Sequence, residues 1–272
     1  MSTDKLIDID NLIASKNKRL AKLLPRFIVK YLKRILHQDE INAFITNAKD
    51  KQDEDFCTEV IEKFNITVNV IGAENVPTDG GAILAMNHPL GGMDAMAVVH
   101  ALRHRRTDFR FIVNDLLLQL KNLNGIFLGV NKHGKNEKSF HTQMENLFAS
   151  PHLIGIFPAG LVSRKKKGVV KDLEWKKTFV KYAKRYNKPV IPVHIEGELT
   201  PFFYRLSNFR TAIGIKANLE MLYLSDELHR QKNKTITITI GQPIDLSTYK
   251  GVRDQAIAEE VKEIVYNLPK KK

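Results

Sequence analysis

Apolar positions along the chain alternate between a helical period and short continuous runs, and the switches mark the elements. Between residues 20 and 35, Leu20, Leu23, Leu24, Phe27, Ile28, Tyr31, Leu32 and Ile35 recur at i, i+3 and i+4. That spacing predicts an amphipathic helix, with Pro25 marking a kink or a boundary. Residues 39–64 predict another helix, charged on one side, that leads into a strand over 66–71. The run Ala82 to Met86 predicts a short buried strand ending abruptly at Asn87-His88-Pro89. Gly91-Gly92 then predict a turn, and residues 93–102 a helix. Further strands are expected over 109–113 and 126–130, with a helical stretch between them. After these come a helix over 136–149, a strand over 153–157, a helix over 173–186, strands over 190–195 and 235–240, and a helix over 255–268. Strands alternating with helices predict an α/β fold, a mixed and largely parallel sheet flanked by helices. No internal repeat or low-complexity linker interrupts it. The expected division is an N-terminal helical segment, 1–64, and an α/β domain, 65–272.

Composition narrows the function classes. At 272 residues with 43% hydrophobic content the chain can bury a sizeable core. No apolar run approaches the roughly 20 residues that cross a bilayer. The opening Met-Ser-Thr-Asp-Lys lacks the basic start and apolar region of a signal peptide. A lone cysteine, Cys57, excludes an intrachain disulfide and suits a reducing cytoplasm. The net charge of +13 points to an anionic partner: nucleic acid, an anionic membrane surface or an acidic carrier protein.

The charge is concentrated. Residues 11–38 hold eight Lys or Arg and no acidic residue. In the helix predicted there, Arg26, Phe27, Lys30, Tyr31, Lys33 and Arg34 combine a basic face with apolar side chains. Such a helix either lies in an anionic membrane interface or packs on the domain with a solvated basic face. A second basic stretch, 164–188, holds eleven Lys or Arg against Asp172 and Glu174. It follows Phe157-Pro158-Ala159-Gly160, where an apolar strand runs into a turn and then into Ser163, Arg164 and Lys165. That loop is either a solvated basic turn or a binder of an anionic group through backbone N–H groups and an arginine fork. Trp175 is expected to anchor its helix to the core. Phe202, Phe203, Tyr204, Leu206 and Phe209, with Arg205 and Arg210 among them, are either core or a second membrane contact.

His88 at a strand end, with Asp94 six residues on at a helix start, suits two readings. One is a base and its orienter; the other is a turn cap and a helix cap. In the first, Asp94 holds one tautomer of His88 and stabilises the imidazolium. Asn114-Asp115 either cap a helix or enter the site. The nine histidines show no metal-ligand spacing, so no metal is expected.

Four blocks in order resemble the lysophospholipid acyltransferase family: Asn-His…Asp (87–94), Gly-Ile-Phe-Leu-Gly-Val (125–130), Phe-Pro-Ala-Gly (157–160) and Val-Ile-Pro-Val (190–193). The resemblance covers roughly residues 65–245. It implies an α/β domain held on the membrane by the N-terminal amphipathic segment, peripheral on the cytoplasmic face of the inner membrane. It also implies acyl transfer from a thioester to a lysolipid hydroxyl. His88 and Asp94 would be the catalytic pair, and Asn87, Gly91, Gly92, Phe157, Pro158, Gly160, Ser163, Arg164 and Lys165 would bind substrate. The co-substrate would be an acyl carrier protein thioester, favoured here, or acyl-CoA, with no other cofactor.

Three departures distinguish the chain. Five residues, not four, separate His88 from Asp94; Ala159 stands where the third motif usually has glutamate; and Asn131-Lys132 replace an arginine after the second motif. Gly91-Gly92 can absorb the extra residue. The other two changes point away from a glycerol-phosphate acceptor. They resemble a bacterial branch acylating lyso-aminolipids, whose free carboxylate Arg164 or Lys165 would pair. The alternatives are a 1-acylglycerol-3-phosphate acyltransferase and a non-catalytic basic protein on membrane or nucleic acid; no nucleic-acid-binding motif is present.

Overall fold

Nine strands form among the described residues, which are 7–113, 117–129 and 137–270 of the computed structural model. Asn114, Asp115, Val130, Asn131 and Lys132, named above, lie outside the described residues. The strands are β1 (Thr67–Ile71), β2 (Ala82–Met86), β3 (Phe109–Val113), β4 (Phe127–Gly129), β5 (Leu153–Ile156), β6 (Arg164–Lys166), β7 (Val169–Lys171), β8 (Val190–Ile195) and β9 (Thr235–Ile240). Seven of them make one sheet in the order β1-β9-β8-β2-β5-β3-β4. All neighbours in it are parallel except β8 and β9, so β1 and β9 run against the rest. β6 and β7 form a separate antiparallel pair.

Strand composition follows strand position. β2 lies between β8 and β5, and all five of its residues are buried, as a strand covered on both faces requires. In β9, Thr-Ile-Thr-Ile-Thr-Ile alternates, with Ile236, Ile238 and Ile240 buried. Ile83 and Ala85 of β2 face a core shared with Phe148, Trp175, Phe179, Ile257 and Val261, supplied by helices Glu137–Ala149, Thr178–Arg185 and Asp254–Asn267 and the segment before the second. The Gly92–Leu102 helix packs against Asp53–Lys63 and β1. Its residues from Met93 to Val99 are all buried, which explains why, Asp94 apart, that run is apolar on every face.

Several expected elements differ in extent. The helix expected over 39–64 is two helices, Gln38–Asn47 and Asp53–Lys63. Asp53, Glu54 and Asp55 favour a new N-terminus there, where they meet the positive end of the helix dipole. The helix expected from 173 begins at Thr178, because the N–H groups of Trp175 and Lys176 are spent on Glu259 and on the Pro158 carbonyl. Among the described residues between β3 and β4 the regular elements are 3-10 turns, Leu117–Gln119 and Lys121–Leu123. The basic run after the Phe157 turn is a hairpin strand rather than a loop, closed at Lys167-Gly168 with positive φ at both residues. Pro201–Ala212 and Leu224–His229 are helices that the apolar spacing did not predict. The first carries plain start signals: Pro201 in its first turn and Thr200, whose hydroxyl accepts the Phe203 N–H.

The chain forms two compact units. The larger is Gln52–Glu198 with the residues from Asn233 onward, and it contains the sheet. The smaller is the described N-terminal part up to Lys51 with Leu199–Lys232. Within the smaller unit, helix Ile9–Lys16 packs on Lys18–Leu23 and Arg26–Ile35, while Arg26–Ile35, Gln38–Asn47 and the residues between them meet the 199–232 segment. The hydroxyls of Tyr31 and Tyr223 lie 2.7 Å apart, and Ser225 donates to the Leu36 carbonyl at 3.0 Å. The His37 and His229 rings stack with centroids 3.6 Å apart, and Glu40 and Asp226 flank them. Buried Glu220 accepts from Arg210 at 2.8 Å and pins the turn after Pro201–Ala212.

Candidate active site

The parallel strands β2 and β5 end side by side, and the chain leaving each supplies one wall of the site. From β2 comes Asn87-His88; from β5 comes Phe157-Pro158. Ligands in open α/β sheets bind at this carboxyl edge of the strands. His88 Nδ1 lies 2.8 Å from Asp94 Oδ2, with the imidazole 18% exposed and the carboxyl fully buried. The Leu90 N–H donates to both Asp94 oxygens, at 3.2 and 3.0 Å. Gly91 sits at φ 71°, a backbone region other residues enter at a cost, and lets the chain reverse so that five intervening residues still close this pair. Burial pushes the Asp94 carboxyl above its usual range, while the hydrogen bonds from His88 and Leu90 oppose that rise. With Nδ1 facing Asp94, the other ring nitrogen, Nε2, is the atom that can take a proton from a ligand.

The third motif packs directly on this pair. The Phe157 ring stacks on His88 with centroids 4.2 Å apart and 23° between planes. The Gly160 N–H donates to the Phe157 carbonyl at 2.9 Å and closes the turn. Pro158 accepts the Lys176 N–H at 3.1 Å, and the Ser163 N–H donates to the His88 carbonyl at 2.8 Å. Ala159 is buried.

Behind both loops lies a carboxylate that the sequence offered only as one acid among eleven cations. Asp172, 6% exposed, accepts from the His88 N–H at 3.2 Å, the Ser163 hydroxyl at 2.5 Å and the Trp175 indole N–H at 2.8 Å. Its own N–H donates to the Tyr266 hydroxyl at 2.7 Å. Burial and the Asp172 charge both raise the Tyr266 pKa, so this phenol stays protonated. The signal for Asp172 was that it is one of two acids in a basic stretch, three residues before the chain's single tryptophan.

The other residues read as substrate-binding fall into two groups. Gly91, Gly92, Phe157, Pro158 and Gly160 line the turn regions around His88. Asn87, Ser163 and Arg164 are turned into the protein instead. Asn87 is 2% exposed, and its amide accepts the Ile195 N–H at 2.7 Å and donates to the Ile195 carbonyl at 2.8 Å, clamping the ends of β2 and β8. Ser163 is 1% exposed and spends its hydroxyl on Asp172. Arg164, expected to offer its guanidinium to a carboxylate, is 6% exposed and donates to the Val162 carbonyl at 2.5 Å. The physical reason is the hairpin: in β6 alternate side chains point opposite ways, so Arg164 goes inward and Lys165 outward to Glu198 at 2.9 Å. Cys57 is fully buried, and burial pushes its thiol pKa up, which disqualifies it as a nucleophile. Trp175 is fully buried in the core, as expected.

In the smaller unit, Phe27 is 73% exposed and Tyr31 39% exposed, one turn apart, among exposed Arg26, Lys30 and Arg34. Arg34 lies over the Tyr31 ring, 5.1 Å from its centroid. Ile35 is buried. Lys33 differs from the expectation of a free cation: its ammonium pairs with Asp10, a contact that raises its pKa. No helix among the described residues is long and apolar enough to cross a membrane.

At the strand ends of a largely parallel sheet, a buried carboxylate holds an imidazole, an arrangement able to take a proton from a hydroxyl. A protein-family model described as "Acyltransferase" matches residues 11–270, and the chain belongs to that family. It is 43% identical to the lyso-glycine lipid O-acyltransferase of Bacteroides thetaiotaomicron, over 97% of both chains. It is also 43% identical to the enzyme of the same description from Phocaeicola vulgatus, covering 97% of this chain and 95% of that one. Among solved structures it resembles the 1-acyl-sn-glycerophosphate (LPA) acyltransferase PlsC of Thermotoga maritima, with TM-score 0.50 and 18% identity over 97% and 94% of the two chains. That likeness is one of fold.

Proposed function

We propose that the protein transfers a fatty acyl group from a thioester to the hydroxyl of a lyso-glycine lipid or a closely related lyso-aminolipid, at a membrane surface. The observation that carries the reading is the 43% identity along almost the whole chain to proteins described as lyso-glycine lipid O-acyltransferases. The His88–Asp94 contact of 2.8 Å supports the chemistry.

In this mechanism the acceptor hydroxyl donates to His88 Nε2. As its oxygen attacks the thioester carbonyl, the proton passes to the imidazole, and Asp94 stabilises the resulting imidazolium. The carbonyl oxygen gains negative charge and needs N–H donors. The Gly160 N–H is engaged by the Phe157 carbonyl, so the amides of Gly91 and Gly92 are the proposed donors. When the tetrahedral intermediate collapses, the C–S bond breaks and His88 returns its proton to the leaving thiolate. The product is an ester and a free thiol, and no cofactor enters the balance. Phe157, stacked on His88, limits water access to the ring.

The donor is proposed to be an acyl carrier protein, whose acidic surface suits the exposed lysines Lys176, Lys177 and Lys181. Charge of this kind acts mainly on the encounter rate. The membrane contact is proposed to be the helix Arg26–Ile35, through Phe27, Tyr31, Arg26, Lys30 and Arg34, from the cytoplasmic side. The test is a competition in which lyso-glycine lipid and 1-acylglycerol-3-phosphate share one labelled acyl-carrier donor. The expected product is mainly the diacyl glycine lipid; mainly phosphatidic acid would overturn the acceptor assignment.

A further inference from the structure

The exposed large hydrophobic side chains of the described residues are unevenly spread. Nine of the fourteen belong to the smaller unit, although it is the minor part of the chain. Three lie in the N-terminal helices; the rest lie between residues 202 and 222. Phe202, Phe209 and Ile213 are 50%, 62% and 54% exposed, and Leu219 and Leu222 are 40% and 44% exposed. Exposed apolar side chains concentrated in this way mark an interaction site.

The two sets adjoin. The Phe202 ring stands edge-on to Tyr223 with centroids 4.9 Å apart, and the Tyr223 hydroxyl meets that of Tyr31 at 2.7 Å. Tyr31 is one helical turn from Phe27. Both segments therefore contribute to one surface within the same unit.

Charge identifies what covers it. Residues 201–219 contain Arg205, Arg210 and Lys216 and no acid, as residues 11–38 contain eight cations and no acid. Arg210 is spent on buried Glu220, which leaves Arg205 and Lys216 exposed beside the apolar side chains. Aromatic and aliphatic side chains rimmed by cations fit an anionic bilayer, where rings enter the headgroup boundary and cations meet phosphates. A second copy of the chain would bring like charges face to face.

We propose that residues 201–222 are a second membrane-docking element, which forms with the helix Arg26–Ile35 one composite surface for anionic lipid. This rests on the peripheral-membrane reading above and adds to it the element distant in sequence.

Two variants test it on the full-length protein with phosphatidylcholine vesicles, with and without phosphatidylglycerol. Phe209→Ser combined with Ile213→Ser truncates two side chains that are more than half exposed, so circular dichroism should match wild type and melting should stay close to it. Binding to phosphatidylglycerol-containing vesicles should weaken at least about tenfold. Phe209→Trp places a reporter indole in the element, against a constant background from Trp175, which is fully buried. Its emission should shift to the blue and be quenched by brominated lipid. Wild-type binding that persists in the double variant, with no emission shift for Phe209→Trp, would overturn the second element while keeping the N-terminal contact. Absence of wild-type binding would overturn both. Self-association in wild type that the double variant abolishes, with vesicle binding unchanged, would assign the surface to a second copy and overturn the proposal.

Discussion

The His88 imidazole lies against the Phe157 ring, 4.2 Å between centroids, so the chain leaving β2 and the chain leaving β5 meet at the proposed base. The Phe157 ring also stacks with Phe111 of β3, 6.2 Å between centroids. Three neighbouring strands thus determine where one imidazole points. Phe157→Ala should leave the protein folded but lower the acyl-transfer rate by about 10-fold to 100-fold, since a displaced base loses proton-transfer geometry. Steady-state kinetics at saturating acceptor would show the loss in kcat. An unchanged kcat would mean that Asp94 alone positions the ring.

Asp172 holds the two loops together from behind, through the His88 N–H, the Ser163 hydroxyl and the Trp175 indole. Asp172→Asn replaces one acceptor oxygen with a donor, so at least one of these three donors loses its partner. We expect a stability loss of about 1–3 kcal/mol, the cost of leaving a buried donor unpaired. We also expect a fall in kcat larger than any change in KM. Urea unfolding and kinetics measured on the same preparation separate the two; a stability loss with normal kcat would limit Asp172 to the fold.

Arg106 provides a pH-dependent prediction away from the site. Its side chain is 3% exposed and donates to Asp108 at 2.6 and 2.5 Å and to the carbonyls of Pro77, Gly80 and Pro151. Burial alone would raise the Asp108 pKa, but Arg106 outweighs it and holds the carboxyl below its usual range. A folded pKa below the unfolded one means stability that is present above about pH 4 and is lost as pH falls through the folded value. Asp108 is partly exposed, so its charge contributes modestly. Arg106→Ala should therefore cost stability at every pH, by about 2–3 kcal/mol, through the orphaned carbonyls. It should also flatten the acid limb of a melting-temperature profile. An acid limb as steep as wild type would show that the Asp108 carboxyl does not depend on Arg106.

What could be read from the sequence depended on how local the cause was. The strand Ala82–Met86 was legible because a central parallel strand is apolar on both faces. The His88–Asp94 pair was legible because a single glycine turn brings the two together. The inward course of Arg164 was not, since it follows from a hairpin register that four consecutive cations do not reveal. Asp172 became visible only when the hairpin and the Asp254–Asn267 helix carried it and Tyr266 together behind the loops. The association of residues 199–232 with the N-terminal helices rests on contacts such as Tyr31–Tyr223 and Leu36–Ser225, far apart in sequence. No periodicity in either segment encodes its partner.

The central claim is that His88 is the base and Asp94 its support. It is tested most directly by following a labelled acyl chain from acyl carrier protein to lyso-glycine lipid with wild type, His88→Ala and Asp94→Asn. His88→Ala should reduce turnover by about 10³-fold or more, with unchanged melting and vesicle binding. Asp94→Asn should reduce it by at least about 10²-fold, because an amide neither holds the tautomer nor stabilises the imidazolium. Turnover near wild type in folded His88→Ala would contradict the account.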